Sequence, residues 1–139
     1  KNKFYVCFAA NDTGKTYLYH SHTISGNWKK QEIEGFYHDC SLLFDDDDRV
    51  YLVYGNTEIH LTELDRNLKG PKENGIDRII VKEQGTYRLG YEGAHFYKIH
   101  GKYYVFLIHL VKNGSDGRPV LYRTVSKEPL PEEMFWQMI

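Results

Sequence analysis

Three short runs share one pattern. KFYVCF (3–8), RVYLVY (49–54) and KYYVFL (102–107) each open on a basic residue and carry Tyr third. Their starts lie 46 and then 53 residues apart. A turn and a second run follow each of them, TYLYHSH (16–22), EIHLTEL (58–64) and VLYRTVS (120–126). Before the second and third lies a further run, DCSLLF (39–44) and EGAHFY (92–97). Apolar and polar residues alternate in these runs, which is the period of a strand. No segment holds a helical period over a comparable length. The exception is LPEEMFWQMI (130–139), where Pro131 and two Glu are read as opening a short helix. Units of roughly 40 to 50 residues with about four strands each are the signature of β-propeller blades. The chain is therefore read as all-β, a partial β-propeller of about three blades with four-stranded antiparallel sheets. The competing reading is a β-sandwich whose hairpins resemble one another by chance. The blades are expected at 1–35 (incomplete), 36–90 (with Asp39) and 91–139 (with Glu92).

Composition agrees and narrows the partners. Aromatic residues make up 15% of the 139, and twelve of them are Tyr. Such side chains fit pleated surfaces, and flat rings also stack on sugars; most are expected in sheet cores. The formal net charge of −1 gives no field to attract nucleic acid or an anionic membrane. No apolar run approaches the roughly 20 residues of a membrane helix. Cys7 and Cys40 lack C-x-x-C spacing and are read as buried thiols, not a disulfide framework. Serine-hydrolase, zincin, P-loop and dinucleotide fingerprints do not occur in the sequence.

Asp39 stands ten residues before Arg49, and Glu92 ten before Lys102. The two acids thus hold the same place in successive repeats. Both are expected to open the first strand of a blade, beside the central cavity. In the first unit that place, ten residues before Lys3, would fall upstream of residue 1, so the chain is expected to start inside a blade. A facing pair of carboxylates is the minimum equipment for acid–base cleavage of a glycosidic bond. Neighbouring carboxylates push each other's pKa values apart, which lets one stay protonated near neutral pH. The alternative is that each acid only accepts backbone N–H groups at a strand start. Spacing alone leaves both open.

HDCSLLFDDDDRVYLVYG (38–55), followed by YEGAHFYKIHGKYYVF (91–106), resembles the family 43 glycoside hydrolases. The resemblance covers essentially the whole chain. It implies a five-bladed β-propeller that cleaves β-xylosides and α-L-arabinofuranosides with inversion, of which this chain would be an internal fragment lacking the first blade and the last. It implies that Glu92 is the general acid and that Asp39 orients this acid and modulates its pKa. The general base would lie in the first blade, outside the chain, so the isolated chain is expected to be inactive and the full-length parent active. Inversion needs about 6.5 to 9.5 Å between acid and base carboxyls, room for a water. His109 falls where the family places cavity-rim residues, and Phe36, Tyr37 and His38 are candidates for lining the same cavity. No cofactor is implied for these residues; a central calcium would belong to the absent fifth blade. The implied partner is an oligosaccharide. Cys40, Asp48 and Ala94 stand where the family has Pro, Gly and Pro, beside the carboxylates without replacing them. The rival readings are a non-catalytic carbohydrate-binding propeller and an interaction scaffold.

Other motifs weigh less. Asp45–Asp48 lacks the alternation and the Gly of an EF-hand loop, so it is read as a tight turn. His20 and His22 share a strand face without a third ligand of clear spacing, and no metal is assigned to them. His95 follows Glu92 by three residues; alternation puts it on the opposite face, in a packing role. An incomplete propeller leaves open blade edges and an uncovered apolar face. The isolated chain is therefore expected to self-associate in sedimentation experiments, and a monodisperse monomer that melts cooperatively would contradict this.

Overall fold

Every regular element among the described residues is a strand. The structure is a computed structural model that describes residues 2–83, 87–111, 120–126 and 135–138, with side chains for 2–83 and 89–109. The helix start read at Pro131 and the two Glu after it lies outside these residues. No helix among the described residues is long and apolar enough to cross a membrane.

The first sheet holds β1 (Phe4–Ala10), β2 (Lys15–Ser21) and β3 (Lys29–Ile33), in that order. The middle sheet holds β4 (Ser41–Phe44), β5 (Val50–Asn56), β6 (Glu58–Leu64) and β7 (Asp77–Lys82). The third holds β8 (Tyr87–Ile99), β9 (Lys102–Val111), β10 (Val120–Ser126) and β11 (Phe135–Met138). All neighbours are antiparallel. Strands β1, β5 and β9 are the three runs with Tyr third. The repeat in the sequence is thus a repeat of sheets, and each sheet is a propeller blade.

Two strands show what apolar alternation overlooks. In β3 (KKQEI) and β7 (DRIIVK) one side chain each is fully buried, Ile33 and Val81. Both strands close the outer side of a sheet, where solvent takes the other residues. Residues 135–138 correct an expectation: they pair with β10, Val125 opposite Phe135 and Thr124 opposite Trp136, and form a strand, not a helix. Phe and Trp favour sheet, and β10 offers an edge to pair with.

The core has two parts with the middle sheet between them. Tyr51 and Val53 of β5 pack with Ile59, Leu61 and Val81, against Ala94, Phe96, Tyr103, Val105 and Leu107 of the third sheet. Val50 and Leu52 point the other way and pack with Leu64, Tyr37 and, from the first sheet, Leu18 and Ile33. Each such side chain contributes about 1.5–3 kcal/mol when fully buried. At the edge of the second cluster, Cys7 and Cys40 are free, half-buried thiols whose sulfurs lie 3.7 Å apart, bridging the first and middle sheets.

The acidic run makes the turn between β4 and β5. Asp48 N–H donates to Asp45 O, Asp48 has φ 64, and Arg49 is held by Asp47 at 2.6 Å. Asp45 does more than turn the chain. Its side chain is completely buried and accepts hydrogen bonds from Lys98 Nζ and the Tyr103 hydroxyl, both on the third sheet. Burial opposes its charge, but these two bonds and one from Asp46 N–H outweigh it and hold the carboxyl below its ordinary range. A depressed carboxyl pKa contributes stability that is complete above about pH 4, the unfolded value. That stability is lost as pH falls through the lower folded value. Asp45→Asn should therefore flatten the acid limb of a Tm-against-pH curve. Asp45→Ala should cost about 3 kcal/mol at pH 7 in urea unfolding, because it strands Lys98 and Tyr103 without their acceptor.

Candidate active site

Glu92 sits inside β8, opposite Ile108 of β9. The ladder is bulged between Glu92 and His95, where Gly93 (φ 65) and Ala94 have no partner in the β9 register. A bulge takes backbone N–H groups off the ladder, and these groups need acceptors. Gly93 N–H finds one across the blade boundary, donating to Asp39 Oδ2 at 3.2 Å. Asp39 lies in the turn before β4 with φ 48, a left-handed conformation that Asp tolerates better than most residues. Farther along, Phe96 N–H donates to Ser41 Oγ at 2.9 Å. The turn that carries Asp39 is thus stitched to the bulge that carries Glu92.

His38 stands between the two acids. Its Nε2 is 3.6 Å from Asp39 Oδ2 and 4.0 Å from Glu92 Oε2. Glu92 is the most enclosed of the three, its side chain 19% exposed against 39% for His38 and 41% for Asp39. Asn56, at the end of β5, donates from Nδ2 to Glu92 Oε2 at 2.5 Å, and the Thr57 hydroxyl donates to Asn56 Oδ1 at 2.9 Å. These two residues were not singled out in the sequence. They read there only as a hairpin tip, because what they touch lies 36 positions away.

The other sequence candidates are placed differently. Phe36 is exposed, at 42%. Tyr37 lies in the core, its ring edge-on to Tyr54 at 4.7 Å, its hydroxyl donating to Glu34 O and its N–H to Thr16 Oγ1. Burial first, then the neighbouring Tyr54, Asp77, Glu34 and Cys40, pushes its hydroxyl up to about 12. His109 is buried, with Nε2 2.6 Å from Glu83 Oε2 and its ring stacked on Tyr91 at 4.4 Å. The structure brings His38, Asp39 and Glu92 together and leaves Tyr37 and His109 out of that group. His95 departs from its expected packing role. It is exposed and lines an open depression of about 360 Å³ with His38, Asp39, Cys7, Cys40 and Asn11. The bulge after Glu92 breaks the alternation on which that expectation rested.

Among the described residues, one group of three donors converges: His38, Asp39 and Glu92, their ligand atoms within 4.8 Å of one another. Calcium takes six to eight oxygens, and this set offers two carboxylates and an imidazole. It does not fit a calcium cage. It does fit proton transfer, which needs one acid in a defined orientation and a few polar neighbours.

The model of glycosyl hydrolases family 43 matches residues 1–113. Among solved structures, a bifunctional GH43-CE protein from Bacteroides eggerthii is 29% identical with a TM-score of 0.88, over 99% of this chain and 18% of that one. A GH43 glycoside hydrolase with an engineered active site, displaying both endo-xylanase and exo-arabinofuranosidase activity, is 25% identical with a TM-score of 0.70, over 99% of this chain and 26% of that one. A xylan β-1,4-xylosidase from Bacillus halodurans C-125 is 21% identical with a TM-score of 0.72, over 100% of this chain and 28% of that one. The chain thus spans 18% to 28% of these three. No curated protein matches it. These neighbours are five-bladed β-propellers, and the three sheets here form part of such a propeller.

The hairpin that carries Asn56 tolerates little change. Gly55 has φ 126, and a Cβ added there would meet Glu58 O at 2.1 Å. Gly55→Ala should destabilise the chain by at least about 2 kcal/mol, since both the backbone conformation and a main-chain oxygen oppose it. Urea unfolding measures this, and wild-type stability would show that the hairpin backbone adjusts freely.

Proposed function

The chain belongs to the glycosyl hydrolases family 43, and on that premise we propose that it carries part of the catalytic centre of a glycoside hydrolase acting on xylan- or arabinan-derived oligosaccharides. The reaction is of β-xylosidase or α-L-arabinofuranosidase type and proceeds with inversion. Glu92 is the general acid. It gives its proton to the leaving glycosidic oxygen as the bond from the anomeric carbon to that oxygen breaks. Asp39 is a positioning residue, accepting the N–H of Gly93, the residue next to the acid. A water attacks the opposite face of the sugar and loses its proton to a general base outside these 139 residues.

The observation that carries this reading is the convergence of Asp39, His38 and Glu92 from two blades. Their spacing supports the division of roles. Donor atoms within 4.8 Å leave no room for the water that an inverting pair encloses at about 6.5–9.5 Å. Asp39 and Glu92 are therefore not an inverting acid–base pair by themselves. The same separation is close to the roughly 5–5.5 Å of a retaining pair, which favours a second reading with Asp39 as nucleophile. The first-formed anomer, observed by ¹H NMR, decides: the inverted anomer supports a base elsewhere, the retained one assigns attack to Asp39.

The isolated chain is expected to turn over aryl xylosides and arabinofuranosides negligibly, whereas the full-length parent is active. Glu92→Gln in the parent should abolish hydrolysis of substrates with poor leaving groups. Full activity of the isolated chain would overturn the placement of the base, and an unimpaired Glu92→Gln enzyme would overturn the acid assignment. An inactive parent that still binds xylo- or arabino-oligosaccharides would make the protein a binding propeller.

A further inference from the structure

We propose that Asn56, locked by Thr57, is a positioning residue for the proton donor: its amide holds Glu92 Oε2, so that the transferable proton sits on Oε1. The inference rests on the reading of Glu92 as general acid. The geometry is that of a clamp built on the tip of the β5–β6 hairpin. Asn56 pairs with Glu58, and Thr57 alone makes the turn, with φ 70. Thr57 N–H donates to Tyr91 O at 2.8 Å, and Glu83 N–H donates to Thr57 O at 3.0 Å. The tip is thereby fixed to the residue that precedes Glu92. Gly90 makes the approach feasible, since a Cβ there would meet Thr57 Oγ1 at 2.6 Å.

The hydrogen bonds also settle which way the amide faces. A carboxamide has one accepting and one donating end. The Thr57 hydroxyl donates to Asn56 Oδ1 at 2.9 Å, which turns Nδ2 to Glu92 Oε2 at 2.5 Å. His38 Nε2 approaches that same oxygen, at 4.0 Å. Oε2 is therefore the oxygen that accepts from the protein, and Oε1 is left to carry the proton to the leaving group. A donor aimed in this way matters only when the leaving group needs a proton. Its loss should be felt with poor leaving groups and hardly at all with good ones.

The test compares aryl glycosides of xylose and arabinofuranose with poor (phenyl) and good (2,4-dinitrophenyl) leaving groups, in the full-length enzyme. Asn56→Asp keeps the side-chain shape and replaces the donor by an acceptor. Thr57→Val keeps the branching and removes the lock, and Thr57→Ser restores the hydroxyl. Asn56→Asp and Thr57→Val should lower kcat/KM on the phenyl glycosides by about 10- to 100-fold and on the dinitrophenyl glycosides by less than about 3-fold. Thr57→Ser should stay near wild type on both. A merely structural role would lower both substrates alike and would overturn the inference. So would a wild-type ratio in Asn56→Asp and Thr57→Val while Glu92→Gln shows the leaving-group split. If Glu92→Gln itself shows no split, or the wild type turns over neither sugar, the acid reading fails first and this inference with it. Should Asn56→Asp fail to fold, the Thr57→Val and Thr57→Ser pair alone decides.

Discussion

Strand β5, at the centre of the middle sheet, has no free face, and the rest of the molecule depends on that. Along β5, Val50 and Leu52 pack toward the first sheet, and Tyr51 and Val53 toward the third. A strand buried on both faces cannot use a polar side to set its register. Slipping it by one residue would exchange two apolar sets. Register is set instead by shape and by the turns at either end. At one end the acidic turn delivers Asp45 to Lys98 and Tyr103. At the other, Gly55 allows a single-residue turn that delivers Asn56 to Glu92.

Polar contacts across the boundary between the middle and third sheets follow β8. Lys98 meets Asp45, Phe96 N–H meets Ser41, Gly93 N–H meets Asp39, Glu92 meets Asn56, and Tyr91 O meets Thr57 N–H. β8 is the edge strand of the third sheet, so its outward main-chain groups have no strand partner there. Each bulge frees main-chain groups from β9, and an unpaired buried group costs about as much as a lost hydrogen bond. The neighbouring blade supplies the partners. The acidic site is therefore a property of the boundary between two blades, and neither blade would hold it alone.

The blade repeat was legible because three of its strands share one pattern, a basic residue first and Tyr third. The polar outer strands β3 and β7 were not, since a strand that buries one side chain leaves no apolar period. The strand at 135–138 was masked by Pro131 and two Glu upstream, which resemble a helix start, while Phe135 and Trp136 find their partner only in β10. Asp39 and Glu92 could be paired in the sequence through their common offset, and His38 through its place beside Asp39. The placements of His95 and His109 could not be read. One depends on a bulge that shifts the face of every later residue, the other on Glu83, a partner 26 positions away.

The four aspartates divide along the same line. As a string they announce a turn, because Asp accepts left-handed backbone and caps its own chain, and 45–48 do make one. That Asp45 alone folds inward, loses its water and joins two blades is invisible in a run of identical letters. Local chemistry is encoded locally, so the apolar strands, the acidic turn and the repeat were determined by the sequence itself. Which oxygen of Glu92 is held, which acid is buried and which histidine faces the opening depend on side chains from different blades. Only the packing of one sheet on the next brings those within a few ångströms of each other.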